Sequence, residues 1–516
     1  MQFNSYVFVL AFLPLTVVAY FLANRFSRRA GKFVLIAASF LFYGWGAPGT
    51  LPVLLCSLAV NYAFAWAICR RNGAAESISQ QNTANDAVSA QNRITVEEDD
   101  RQPHKKKTGW LVAVPVILNI LLLFYFKYLN FAVFNINRFL HTNLPFQELL
   151  LPVGISFFTF QQIAYVVSVY RGDLLKADLI DYLVYLTYFP KILMGPLAEP
   201  ADLIGQFNDE RNSHFSWENT ACGLKIFSFG LLKKVILADT FGKALTWGMT
   251  NMGNASAMDW ILVSICYSFE IYFDFSGYSD MAVGVSKMLN ITLPINFDSP
   301  YKALSIRDFW KRWHISLTKF LTKYLYIPLG GNRKGTARTY INTMIVFLVS
   351  GIWHGANWNF ILWGLLHGLF SVFDRITERV QEKLWKPIRW LYAFAVYNVL
   401  WLLFTCSSVN QWLVILKTMV GMNSTAVNTG LMEVFHLPEA GFLEQMLPAF
   451  GNFAGSAPWL WMIVILVTAM LVCLIPENNY RRLDRLNTGN MIASALAFVW
   501  GVLCLGSETI FVYFNF

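Results

Sequence analysis

Four stretches of the 516-residue chain place ionisable side chains within apolar sequence. Such groups are costly in a membrane, which makes them functional candidates by default. In "GIWHGANW", His354 stands among Gly351, Gly355 and Ala356, with Trp353 and Trp358 nearby. Small neighbours let a second helix or a substrate come close. A neutral imidazole with a pKa near 7 can take a proton from a hydroxyl. A structural histidine bonded across helices fits the same residues. His367 lies thirteen residues on. Along an unbroken helix it faces elsewhere, and a packing role is expected of it.

The second stretch is "IRDFWKRWHISLTKF". Arg307, Lys311 and Arg312 fall about one turn apart, interleaved with Phe309, Trp310 and Trp313. A basic interfacial helix with an aromatic belt explains these residues, but it explains Asp308 and His314 less well. The other reading is a portal for an anionic cytosolic ligand, with His314 directed into a cavity. The third stretch, "EIYFDFSGYSDMAVG", carries Glu270, Asp274 and Asp280, the first two one turn apart. They either orient a catalytic group or pair with an arginine of the second stretch, and the pairing is expected. The fourth, "PLGGNRKGT", carries Arg333 and Lys334. It reads equally as a phosphate-holding turn or a basic loop, and it lacks P-loop spacing. No HExxH, paired Cys/His spacing, GxSxG elbow or dinucleotide fingerprint is found. The chemistry is expected to need no metal and no bound cofactor, with histidine as its titrating centre.

These residues need a frame. The chain is 56% hydrophobic and 14% charged, where soluble domains are about one quarter charged. Several runs approach the ~20 residues that cross a bilayer as a helix, so an all-α, polytopic membrane fold is expected. Residues 1–71 read as N-terminal membrane helices and 72–108 as a polar, disordered cytoplasmic linker. Residues 109–420 read as the core, 421–456 as an extracytoplasmic loop, and 457–516 as the last membrane helices. One long helix is expected over 341–373. Between 180 and 340 the hydropathy is uneven, which predicts broken helices around a cavity. The basic clusters after the first span and before the last place both termini outside. The net charge of +9 follows the same rule and does not point to nucleic acid. The seven cysteines form no CxxC pair, and no disulfide framework is expected.

"FDFSGYSDMAVG", "FWKRWHISLTKFLTKYLYIPLGGNRKG" and "GIWHGANWNFILWGLLHG" occur in that order. Together they resemble the membrane-bound O-acyltransferase (MBOAT) family, and within it the bacterial branch of alginate O-acetyltransferase membrane subunits. "YFPKILMGPL" and "LPVGISFFTFQQIAYVVSVYRGD" extend the resemblance over nearly the whole chain, the insertion at 72–108 being the main departure. The resemblance implies a helical bundle with a transmembrane tunnel in a bacterial inner membrane. It implies that His354 is the general base and that His314 is the second family position. The donor would be cytosolic acetyl-CoA or an acyl carrier protein. Arg307, Lys311, Arg312, Trp310, Arg333 and Lys334 would receive it, with Asn357 as an amide donor to the oxyanion and Asp274 and Asp308 in support. The acceptor would be an extracytoplasmic polysaccharide, reached with a GDSL/SGNH-type partner and the polysaccharide machinery. Teichoic acid, peptidoglycan, protein or lipid are alternative acceptors, and a transporter or flippase is the alternative class. The terminal "FVYFNF" resembles an acyl-carrier motif with Tyr513 as carrier; an aromatic interface belt fits it equally well.

Overall fold

The computed structural model describes residues 1–89, 109–174, 176–422, 424–482, 485–506 and 511. Among these residues every regular element is a helix. Among the described residues four helices are long and apolar enough to cross a membrane, at 48–71, 109–140, 358–381 and 386–405. The expected all-α membrane fold is thus observed. The chain divides into two compact units.

The first unit holds residues 14–194 and 198–215, with Met1. Its helices are α1 (Leu13–Asn24), α2 (Arg28–Gly46), α3 (Leu51–Ser89), α4 (Gly109–Leu123), α5 (Leu129–Leu140), α6 (Ile155–Arg171), α7 (Leu179–Thr187), α8 (Phe189–Ile192) and α9 (Pro200–Asn208). Ser27 starts α2 by accepting from the Ala30 amide at 3.1 Å, and Asp178 caps α7 in the same way. Inside the unit, α3, α4 and α6 are joined by side-chain amides. Asn61 and Ser57 donate to Gln162 at 2.7 and 2.8 Å, and Asn119 donates to Asn61 at 2.6 Å. Buried amides bonded to one another fix which helix faces meet. One expectation changes here: α3 runs to Ser89 instead of ending near residue 71. The Ala, Glu and Gln content of 72–89 is compatible with a helix whatever its polarity. The rest of the expected linker, 90–108, lies outside the described residues.

The second unit holds residues 2–13, 195–197 and 216–516. Its helices are α10 (Trp217–Leu232), α11 (Asp239–Thr250), α12 (Ala257–Met288), α13 (Ile306–Arg312), α14 (Ile315–Leu321), α15 (Thr336–His354), α16 (Trp358–Gln381), α17 (Lys386–Thr405) and α18 (Val409–Gly421). Three short helices, α19 (Thr429–Glu433), α20 (Pro438–Met446) and α21 (Pro448–Ser456), occupy the expected loop. Then come α22 (Leu460–Leu474) and α23 (Thr488–Leu503). The short helices α13 and α14 bear out the broken stretch expected in mid-chain.

α12 is the pillar of this unit and is buried along most of its length. Glycines seven residues apart on each helix bring α10 against it. A Cβ on Gly223 would lie 2.5 Å from the Gly284 carbonyl oxygen, and one on Gly230 would lie 2.7 Å from that of Gly277. Small residues of this kind let membrane helices pack backbone to backbone. The seam brings the lysines that follow α10 to the carboxylates of α12. Lys234 pairs with Asp274 at 2.8 Å and Asp239 at 2.9 Å, and Lys233 with Asp280 at 2.7 Å. Of Glu270, Asp274 and Asp280, the two aspartates show the expected pairing, but with lysines 234 and 233, not with an arginine of 307–312. On the opposite side Asn398 of α17 donates to Ser264 O and Ser268 Oγ of α12 at 2.9 and 2.7 Å.

The single helix expected over 341–373 is two. The chain leaves α15 at His354, Gly355 is extended, and Asn357 caps α16 by accepting from the Asn359 amide. Asn359 in turn donates to the Cys406 carbonyl oxygen at the end of α17. The two helices fold back on each other. A Cβ on Gly364 would meet Phe347 O at 2.4 Å and Gly351 Cα at 3.1 Å. We expect Gly364→Ala to wedge α15 from α16 and destabilise the protein by about 1–3 kcal/mol, as overpacking does. A lowered thermal midpoint in detergent would report it; an unchanged midpoint would mean that the contact yields freely.

Candidate active site

α13 is held at its start before any of its side chains can act. Ser305 accepts from the Asp308 amide at 3.1 Å. Asp374 of α16 accepts from the Ile306 and Arg307 amides at 2.6 and 3.2 Å. A carboxylate is favoured at a helix N-terminus, where free N–H groups and the helix dipole meet it. Gln381 and Tyr392 donate to the other Asp374 oxygen at 2.9 and 3.0 Å. This buried carboxylate therefore ties α13 to α16. Sequence reading missed it because it stands one residue past the expected helix end, where a charge looks like a loop residue.

His314 sits between α13 and α14 with φ 45°, a left-handed conformation uncommon outside glycine. Such a residue costs about 1–3 kcal/mol and persists where its surroundings over-determine it, often at functional sites. The chain is pinned on both sides. The Asp298 amide donates to Arg312 O and the Ile315 amide to Asn296 O, both at 3.0 Å. Ser316 Oγ donates to Asn296 Oδ1 at 2.6 Å and accepts from the Leu197 amide at 3.0 Å. The ring is buried and stands edge-on to Phe275 at 4.8 Å, with Trp353 at 6.4 Å. His314 lies outside the four long apolar helices. Burial lowers its pKa to about 3, which keeps the imidazole neutral.

His354 ends α15 and is buried. Its ring lies 4.9 Å from Trp353, 5.2 Å from Trp363 and 5.1 Å from Phe404. Trp353 thus links it to His314. The helix break changes the position of His367, which an unbroken helix would have turned away. His367 lies 4.7 Å from the same Trp363, and its Nδ1 accepts from Trp310 Nε1 at 3.2 Å. That bond is consistent with a packing role and fixes the orientation of Trp310. Three histidines from three parts of the chain therefore share one aromatic cage.

Beside the cage is a cavity of about 210 Å³ between α13, α14, α15 and α16. Arg307, Lys311 and Arg375 line it together with Thr318, Thr322 and Ser371. Trp310 and Phe347 also line it. These two rings lie 5.4 Å apart, and behind Trp310 stand His367 and Trp363. Arg375 was not anticipated, being the residue after Asp374 and hidden by the same misplaced helix end. Among the described residues no carboxylate lines this cavity, so it suits an anion.

Of the expected donor-binding residues, Arg307, Trp310 and Lys311 meet at the cavity. Arg307 is also anchored to Glu378 at 3.0 Å. Arg312 is not there. It pairs with Asp308 at 2.9 Å and donates to Asp298 O, so both residues brace the loop that carries His314. Asn357 is occupied as the α16 cap and also donates to Ser407 O at 3.3 Å. Arg333 and Lys334 are exposed in a turn that does not line the cavity. There Gly330, Gly331 and Gly335 take positive φ, and Asn342 holds the turn by donating to Gly331 O at 2.8 Å. Asp274 is engaged with Lys234, as above. Tyr513 lies outside the described residues.

The family model for MBOAT, the membrane-bound O-acyltransferase family, matches residues 174–415. A peptidoglycan O-acetyltransferase of Helicobacter pylori (strain ATCC 700392 / 26695) is 32% identical, over 100% of this chain and 97% of the relative. The chain belongs to the membrane-bound O-acyltransferase family. This MBOAT protein is also similar to the probable alginate O-acetylase AlgI of Azotobacter vinelandii, at 36% identity over 80% of this chain and 76% of that one. A teichoic acid D-alanyltransferase of Streptococcus thermophilus (strain ATCC BAA-250 / LMG 18311) is 30% identical over 44% of this chain and 58% of its own. The resemblance read from the three motifs is thereby borne out, and the MBOAT chain is a membrane acyltransferase. The matched region contains His314, His354, His367 and every residue lining the cavity.

Proposed function

We propose that this MBOAT protein moves an acetyl group from a cytosolic thioester, acetyl-CoA or an acyl carrier protein, to a hydroxyl of an extracytoplasmic polysaccharide. The observation that carries the reading is the cation-lined cavity set against the aromatic cage that holds His354 and His314. A phosphate-bearing donor suits Arg307, Lys311 and Arg375, and its acyl arm would have to pass Trp310 and Phe347 to reach His354. There the acceptor oxygen attacks the thioester carbonyl and gives its proton to His354. The C–O bond forms, the C–S bond breaks, and the imidazolium returns the proton to the departing thiolate. His314 can supply one N–H to the carbonyl oxygen as it gains charge, a contribution that is large in acyl transfer. The bacterial inner membrane, with both termini outside, is the setting for this reaction. A GDSL/SGNH-type partner would complete delivery to the polymer.

A route through Tyr513 is favoured by one observation. Phe511 is buried, 5.1 Å from the Tyr278 ring, with Lys234 Nζ 4.7 Å above it. Phe511, two positions before Tyr513 in the sequence, is therefore anchored inside the second unit. One experiment addresses both routes. The protein is reconstituted in proteoliposomes with acetyl-labelled acetyl-CoA inside and a soluble polysaccharide outside. Label should leave CoA and appear on the polymer, with free CoA formed in equal amount. Intact-mass analysis of the C-terminal peptide should show an added acetyl group if Tyr513 is the relay. Label crossing while still attached to CoA would sink the acyltransfer proposal.

A further inference from the structure

The first unit contains a feature that acyl transfer does not use. A groove of about 880 Å³ opens between the end of α1, the start of α2 and residues 210–215. Its size is that of a small-molecule site. Its lining changes character along its length. Val18, Phe21 and Leu22 form an apolar floor, and Phe215 closes one side, its ring edge-on to Phe21 at 5.3 Å. Val18 and Leu22 lie one turn apart on α1, and Arg25 follows in the turn just past its end, so the floor passes from aliphatic to cationic within about 10 Å. At the cationic end stand Arg25, Arg28 and Ser27, with His214 and Ser213 opposite. One carboxylate, Glu210, also lines the groove, so the two arginines outweigh it. Arg28 donates to Asn208 O. The Arg25 guanidinium makes no hydrogen bond or ion pair among the described residues, and Phe26 beside it is 89% exposed.

We infer that this groove binds one anionic phospholipid. The acyl chain would lie along Val18, Phe21 and Leu22, and the phosphate would sit at Arg25, Arg28 and Ser27. The order of the lining decides for a lipid over a free anion. An apolar trough leading into a pair of arginines matches a molecule with a long hydrocarbon tail and a charged head, and soluble phosphate would leave the trough empty. Basic residues at the membrane edge attract anionic headgroups. A zwitterionic head would bring its own cation against the arginines.

The test is lipid retention by full-length protein in mild detergent, followed by native mass spectrometry. The probes are phosphatidylglycerol, phosphatidylcholine with the same acyl chains, and inorganic phosphate. Phosphatidylglycerol should be retained at least about tenfold more strongly than phosphatidylcholine, with phosphate neither bound nor competing. Arg25→Gln with Arg28→Gln should weaken retention about thirtyfold. Since Arg28 also braces the chain at Asn208, Arg25→Gln alone provides the second variant. It should cost about fivefold without moving the lipid-free thermal midpoint. Equal retention of the two lipids, competition by phosphate, or undiminished retention by Arg25→Gln would each overturn the proposal.

Discussion

Replacing His354 by Gln should abolish acetyl transfer, with kcat falling about 10²–10⁴-fold, the usual contribution of a positioned general base. Gln is the informative choice because the cage is tight. His354 packs against Trp353, Trp363 and Phe404, and Ala would leave a hole whose own cost could unfold the site. Gln keeps most of the volume and a polar tip but cannot take a proton near neutral pH. The thermal midpoint and helix content should therefore stay near those of the parent protein. Donor KM should also hold, because His354 does not line the cation-bearing cavity. Normal turnover in this variant would remove His354 from the mechanism. A rise in KM with a fall in kcat and a lower midpoint would mean that the cage, not the base, had been damaged.

Reversing charge at the cavity should separate donor capture from chemistry. Lys311 and Arg375 line it, and neither is held in an ion pair among the described residues, unlike Arg307, which leans on Glu378. With Lys311→Glu and Arg375→Glu combined, donor KM should rise about a hundredfold, the scale of losing two charge-assisted contacts. Turnover at saturating donor should change little, since binding lost equally from ground state and transition state raises KM alone. The control is S-acetyl-pantetheine, which has no phosphate. Its KM should be indifferent to the double substitution, and salt should weaken acetyl-CoA but not the neutral donor. Equal losses for both donors would show that the substitutions disturb the fold and not an anion site.

The two predictions draw unequally on what was legible in the sequence. Membrane class and all-helical architecture came from composition and hydropathy, and local motifs with the family resemblance marked His354 and His314 as candidates. Hydrophobic runs must be helical in lipid, and an imidazole among glycines and tryptophans is conspicuous without any coordinates. The cationic face of Arg307 and Lys311 was visible for the same reason. Local pattern failed where the deciding contact was long-range. An apolar run across 341–373 reads as one helix. The structure breaks it after His354, where Gly355 is extended, Asn357 caps the next helix and Asn359 is bound by the end of α17. That break folds α16 back along α15 and brings His367 to the Trp363 that His354 touches.

Charge partners show the same division. Sequence spacing put Arg307, Lys311 and Arg312 on one basic face, yet Arg312 is taken by Asp308 one turn away while Arg375, sixty-three residues beyond it, completes the cavity. Asp274 and Asp280 of α12 were expected to seek an arginine and instead meet Lys234 and Lys233, because facing glycines bring α10 within backbone contact. The sequence by itself determined which groups could do chemistry and that they would sit in a helical membrane protein. Periodicity and hydropathy are properties of neighbours along the chain. Only the tertiary structure decided which of those groups share a site, because a helix break, a cap or a glycine seam acts between residues that the sequence keeps far apart.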